Sequence, residues 1–204
     1  MKPKNYYWRY QHFLTLNLDK VESFRVIRNW LGNRKKIVDI GCGLGHLATF
    51  WQAIGLDNDP SAIQKAKSLF PQTKFILTDA ANRLPFKDNS IDAFICYNIL
   101  EHLTAWARKK LFWEIKRTLK KDGVLIAGYV DETFWFNRLL AFLMSNYGIN
   151  DPTHLVSFTP EEFKNEIRKN FKIVKVKKTS QYGKLIFVTR FFKGEILIKA
   201  KQKK

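Results

Sequence analysis

The chain has 204 residues, 46% hydrophobic and 26% charged, which suits one domain with a sizeable core and excludes a disordered polymer. Met1 to Arg9 is polar and aromatic, and no apolar run reaches the roughly eighteen residues of a membrane span, so neither a signal peptide nor a span is expected. The formal net charge of +18 points to nucleic acid, anionic lipid or acidic partners, or to nothing more than a solvated lysine-rich surface. The expected location is cytoplasmic, with peripheral membrane contact as the alternative.

The aromatic stretch Asn5 to Phe13 precedes a helix predicted over Leu18 to Leu31. Its apolar positions Leu18, Val21, Phe24, Ile27 and Leu31 recur at helical spacing, and Gly32 with Asn33 ends it. Lys36 to Ile40 reads as a buried strand, His46 to Gln52 as a short helix and Ala53 to Asp57 as a second strand. Pro60 opens a helix to about Leu69, with Asp59 as its cap. Lys74 to Leu77 and Ile91 to Tyr97 are the third and fourth strands. Thr104 to Leu119 is a helix that "KKDG" is expected to close with a basic last turn and a glycine stop. Gly123 to Val130 is the fifth strand, and Glu132 to Met144 an apolar helix. Thr159 heads another helix, with Pro160 first and Glu161 and Glu162 in its first turn. Lys172 to Lys178 and Lys184 to Phe192, joined through "SQYG", are expected to close the chain as an antiparallel hairpin. The alternation of strands and helices implies a doubly wound α/β sheet, mostly parallel.

The stretch "IVDIGCGLGHLATFWQAIGLDNDP" holds Gly41, Gly43 and Gly45. A dinucleotide fingerprint needs glycine where His46 stands. Asp39 lies two residues before this loop, Asp57 ends the second strand and Asp79 follows the third. A pyrophosphate is disfavoured near these carboxylates, since a like-charge pair at about 4 Å costs on the order of 4 kcal/mol at an effective dielectric of 20. A cationic ligand with ribose hydroxyls and an amine-bearing base reverses that sign, and S-adenosylmethionine has these groups.

"VDIGCGLG", "GLDNDPSAI", "TDAANRLPFKDNSIDAFICYNILEHL" and "LKKDGVLIAG" resemble, in order, the motifs of class I S-adenosylmethionine-dependent methyltransferases. They are most similar to the group that includes ubiquinone and menaquinone C-methyltransferases. The resemblance covers Ile37 to Val130 and extends more weakly through Asp151 to Phe163. It implies a Rossmann-like seven-stranded sheet and the cofactor S-adenosylmethionine. Asp39, Gly41, Cys42, Gly43 and Gly45 would hold the methionine end, and Asp57 the ribose hydroxyls. Asn58 would flank the adenine, Asp79 and the Ala80 backbone would bond it, and Tyr97 and Asn98 would line the methyl side. The link from Gly45 to Asp57 is shorter than the family usually shows, and the stretch from Asp79 to Leu84 carries one extra residue. The domain reading is a single unit: a cap over 1–33, a cofactor core over 34–130, substrate-covering helices over 131–170, and a hairpin with a basic tail over 171–204.

Methyl transfer needs a general base only if the acceptor must lose a proton. His154, in "DPTHLVSF", is the candidate catalytic residue, and His102 a weaker one. Tyr6, Tyr7, Trp8, Tyr10 and Phe13, together with Phe134 to Met144, could shape an acceptor pocket or meet a membrane surface. "CYNILEH" lacks the proline turn of amino-type nucleic-acid methyltransferases. A small-molecule or lipid acceptor is therefore expected. RNA or protein methylation is the alternative, with RNA or an anionic membrane meeting the basic C-terminus, where Glu161 to Lys204 holds 14 Lys/Arg against 4 Asp/Glu. A non-catalytic adaptor is the third possibility. Cys42 and Cys96 show no metal-ligand spacing, so no metal and no disulfide framework is expected.

Overall fold

The computed structural model describes residue 18 and residues 21–131, 153–179 and 194–203. The expectations for Tyr6 to Phe13, Glu132 to Met144, "SQYG" and Lys184 to Phe192 lie outside those residues.

The described elements are α1 (Glu22–Leu31), β1 (Ile37–Ile40), α2 (His46–Phe50), β2 (Ile54–Asp57), α3 (Pro60–Leu69), β3 (Phe75–Leu77), β4 (Ile91–Tyr97), α4 (Ala105–Thr118), β5 (Leu119–Val130), α5 (Pro160–Asn170), β6 (Phe171–Thr179) and β7 (Glu195–Gln202). They build a seven-stranded sheet in the order β3-β2-β1-β4-β5-β7-β6. The first five strands pair in parallel, and β7 runs antiparallel between β5 and β6. Strand order reverses between β1 and β4, so the loops leaving those strands flank the crevice where such sheets bind ligands.

Alternation along the strands sorts two cores. Val38, Ile40, Phe94, Cys96, Leu125 and Ala127 pack with Leu111, Phe112 and Ile115 of α4 and Phe163 and Ile167 of α5. Ile37, Ala93, Ile95, Val124 and Ile126 pack on the opposite face with Phe24, Ile27 and Leu31 of α1 and with Trp51. Each fully buried side chain of this size contributes about 1.5–3 kcal/mol.

Local chemistry explains the helix starts. Asp59 Oδ1 accepts from the Ser61 and Ala62 N–H groups at 2.8 and 3.3 Å, with Pro60 at the first helical position. Thr159 and Glu162 form a reciprocal capping box at the start of α5. Helix α2 has five residues, as the short crossover requires.

Two expectations are corrected. "KKDG" is not a glycine-stopped helix end. Helix α4 stops at Thr118, and Leu119 already pairs with Ile91. The register then slips, so that Val124 pairs with Ala93, and Lys120 to Gly123 form an irregularity inside β5. Gly123 is needed there for closeness, because a Cβ would stand 2.6 Å from the Leu119 side chain and 2.8 Å from the Lys120 carbonyl. The second correction is the strand completing the sheet, which is Glu195–Gln202, within the stretch assigned to the basic tail. Its buried side chains, Ile196, Leu197, Ile198 and Ala200, sit among lysines that had suggested a solvated end. Among the described residues, no helix is long and apolar enough to cross a membrane.

The loop after β3 is tied to α4 by a polar cluster. Glu114, 3% exposed, accepts from the Leu84 N–H at 2.8 Å and pairs with Arg117 at 2.6 Å. Arg117 also donates to the Leu84 and Phe86 carbonyls and pairs with Asp88. Removing Arg117 leaves a buried carboxylate uncompensated, so Arg117→Ala is expected to cost about 3–5 kcal/mol in urea denaturation. A loss below about 1 kcal/mol, the scale of a surface ion pair, would contradict this role.

Candidate functional site: an acidic notch at the carboxyl edge of the sheet

Asp39 is the penultimate residue of β1 and pairs in register with Gly55, and Asp57 is the last residue of β2. Both are buried, at 4% and 7% exposure. Asp57 is held by backbone donors, with Gly43 N–H on Oδ2 at 2.8 Å and Asp59 N–H on Oδ1 at 2.9 Å. A carboxylate has about four lone-pair sites, so each oxygen keeps one for a ligand hydroxyl. Burial, and then the charge of Asp57, push the Asp39 carboxyl up from 3.8 to about 8. Asp39 is therefore largely protonated at neutral pH until a cation arrives.

The glycine loop closes over this pair. Gly41 and Cys42 N–H groups donate to the Leu56 carbonyl at 2.8 and 2.9 Å, which stitches the loop to β2. Gly41 has φ +74°, and a Cβ on it would stand 2.6 Å from Ile99, so the loops after β1 and β4 touch there. Gly43, at φ +52°, aims its N–H at Asp57. Gly45 caps α2 at φ +82°, with the Phe75 ring where a Cβ would be. Cys42 is half-buried, with Sγ 2.7 Å from where a Cβ on Gly55 would lie, and burial followed by Asp39 and Asp57 raises its thiol well above the usual range. It offers the site backbone rather than a nucleophile.

Asn58 is exposed, just past β2. Asp79 is also exposed, two residues beyond β3, and its Oδ1 accepts from the Ala81 N–H at 2.8 Å. Ala80 is partly buried beside it. The three carboxylates thus line one edge across three adjacent strands, and the charge that acts on Asp39 is that of Asp57. Asn98 adopts φ +50°, donates its N–H to the Gly128 carbonyl at 3.0 Å, and has a buried Oδ1 with no partner among the described residues.

Tyr97, the last residue of β4, packs its ring edge-on against Phe24 and Trp51, and its hydroxyl donates to Glu195. Glu195 is buried at 1%, also accepts from Thr179 Oγ1 at 2.7 Å, and is raised above its usual range by burial. Tyr97 is partly buried against the α1-side core, on the same face of the sheet as Ile95, the register partner of Asp39.

His102 lies in a 3-10 turn, Leu100–His102, ahead of α4, whose cap is Thr104. The structure brings it to His154, with ring centroids 4.6 Å apart. The segment carrying His154 docks through Leu155 and Val156 N–H groups on the Glu101 carbonyl at 2.9 and 3.3 Å. Glu101, 2% exposed, was missed by the sequence reading, although it stands next to His102 in "LEHL". Cys96 is buried, and its thiol is raised by burial and then by the charges of Asp39 and Glu101.

A test concerns Asp39 without ligand. Its folded pKa lies above its unfolded one, so the unfolded chain releases a proton that the folded chain keeps between about pH 4 and 8. Stability from this group is full below pH 4 and falls by up to about 1.4 kcal/mol per pH unit towards pH 8. Asp39→Asn is expected to gain stability relative to the parent as pH rises from 5 to 8, measured by urea denaturation. A difference that does not change with pH would show that Asp39 is ionised in the fold.

The donors of this notch fit a cationic nucleoside. Buried paired carboxylates suit an ammonium and ribose hydroxyls, glycines leave room against the backbone, and the Asn98 amide oxygen awaits a donor. Comparison with known proteins agrees. Residues 38–127 match the family described as Methyltransferase domain. A probable S-adenosylmethionine-dependent methyltransferase of Mycobacterium tuberculosis is 28% identical over 97 residues, 45% of this chain and 34% of that protein. An uncharacterised protein of Methanocaldococcus jannaschii is 33% identical over 99 residues, 47% of this chain and 41% of its own length. The chain thus spans less than half the length of these relatives. A TehB-like S-adenosylmethionine-dependent methyltransferase from Corynebacterium glutamicum shares the fold with a TM-score of 0.69 at 18% identity, over 98% of this chain and 97% of that one. One from Archaeoglobus fulgidus does so with a TM-score of 0.72 at 17% identity, over 97% and 100%. Residues 38–127 thus match a methyltransferase domain, and the chain shares its fold with solved S-adenosylmethionine-dependent methyltransferases, which points to S-adenosylmethionine as the cofactor.

Proposed function

We propose that this chain transfers a methyl group from S-adenosylmethionine to a small-molecule or lipid-like acceptor, as in the group that includes ubiquinone and menaquinone methyltransferases. The observation that carries the reading is the coupled, buried pair Asp39 and Asp57 beneath a glycine loop at the strand-order reversal. Asp39 and the Gly41–Gly43 backbone hold the methionine ammonium. Asp57, pinned by two N–H groups, accepts from the ribose hydroxyls. Asn58, Asp79 and the Ala80 backbone frame the adenine, and Asn98 faces the methionine side.

The bound cofactor supplies an activated methyl on a sulfonium leaving group, displaced in line by the acceptor. The chain's own work is alignment and water exclusion. His154, half-buried beside His102, can accept a proton from an acceptor that must lose one. Leu155 next to it is 60% exposed, apolar surface suited to a greasy acceptor. A second reading, an RNA target, is favoured by the edge strand β6, where Lys172, Lys175, Lys177 and Lys178 are all exposed. RNA binding through it would weaken steeply with salt, whereas methylation of a neutral small molecule would not.

Asp57→Ala is expected to lower S-adenosylmethionine affinity by at least about tenfold in calorimetry, because it removes paired charge-assisted hydrogen bonds. Unchanged affinity would contradict the ribose assignment. Radiolabelled S-adenosylmethionine offered with lipid, metabolite and RNA pools tests the acceptor class. Label is expected in the organic-soluble or small-molecule fraction, and label confined to RNA would overturn that choice.

A further inference from the structure

We propose that Glu101, His102 and His154 bind one divalent transition-metal ion of the zinc class. Each offers a ligand atom, and these atoms lie within 4.8 Å of one another. Ligands about 2.0–2.1 Å from a tetrahedral zinc stand about 3.4 Å apart, so modest side-chain rotation closes the site. Two imidazoles and one carboxylate form a donor set that zinc favours, while magnesium and calcium prefer oxygen donors throughout.

The surroundings hold these donors in place. Leu155 and Val156 N–H groups fix the His154 segment on the Glu101 carbonyl. His102 Nδ1 lies 2.9 Å from Thr153 Oγ1, a contact of the kind that orients ligand imidazoles. The sequence offered no sign of this, since the donors come from two distant segments with no repeated spacing. Three protein ligands leave a coordination position open, as in catalytic rather than closed structural centres. Resting on the methyltransferase reading, that position is assigned to an acceptor oxygen, whose proton a bound metal would make easier to lose; with metal in place His154 serves as a ligand rather than as the base.

The test uses the whole chain, stripped with a chelator and dialysed against Zn(II), with bound metal measured by mass spectrometry. Co(II) serves as a second probe through its visible absorption. The parent is expected to take up about one ion per chain with a tetrahedral or five-coordinate cobalt spectrum. His102→Ala and His154→Ala are expected to weaken uptake by more than about tenfold. No uptake by the parent, or equal uptake by parent and both variants, would overturn the site and leave the histidines as an edge-to-face packing pair. Calorimetry of S-adenosylmethionine on the same samples separates the two readings. Variants that lose metal but keep cofactor binding support this site, and cofactor binding lost in the parent would sink the methyltransferase reading without touching the metal result.

Discussion

Two carboxylates share one buried crevice, and that repulsion organises the site. Asp57 is satisfied by two backbone N–H groups and stays in place. Asp39, with burial and a like charge against it, holds a proton instead. A pyrophosphate would add further negative charge to this crevice, whereas an ammonium supplies what Asp39 lacks. Discrimination between a dinucleotide and a cationic nucleoside is thus a matter of sign, set by an acid before the glycine loop rather than by the glycines themselves.

The same crevice depends on contacts between distant parts of the chain. Ile99, leaving β4, fills the space beside Gly41, leaving β1. Phe75 of β3 lies against both Gly45 and Gly55, so the loop, β2 and β3 are fitted to one ring. Arg117 and Glu114 anchor the loop that follows Asp79. Farther along the same edge, the 153–158 segment folds back onto the turn after β4. The β4 exit thus carries Ile99 against the glycine loop and Glu101 against the 153–158 segment.

The parallel core was legible because its signals are local. Asp59 before Pro60, Thr159 before Pro160 and the apolar run Ile91 to Tyr97 each specify an element within a few residues. Asp39 and Asp57 could be placed for the same reason, since each stands at a strand end beside a recognisable loop. What was not legible was long-range. Tyr97 turns to Glu195, a partner ninety-eight residues away, which no local pattern announces. The strand Glu195–Gln202 alternates apolar residues with lysines, and its insertion between β5 and β6 depends on pairing rather than on composition. Lys120 to Gly123 look like a helix stop because Gly and basic residues have that local preference, yet the pairing of Leu119 with Ile91 overrides it. Glu101 went unnoticed because an acid beside a histidine becomes informative only when the second histidine arrives through the fold.

The central claim is that a cationic ligand takes the place of the proton on Asp39. Calorimetry of S-adenosylmethionine at pH 7, repeated in buffers of different ionisation enthalpy, counts protons exchanged on binding. The account predicts a release approaching about one proton in the parent chain that disappears in Asp39→Asn. Equal proton exchange in the two proteins, with equal affinity, would contradict it.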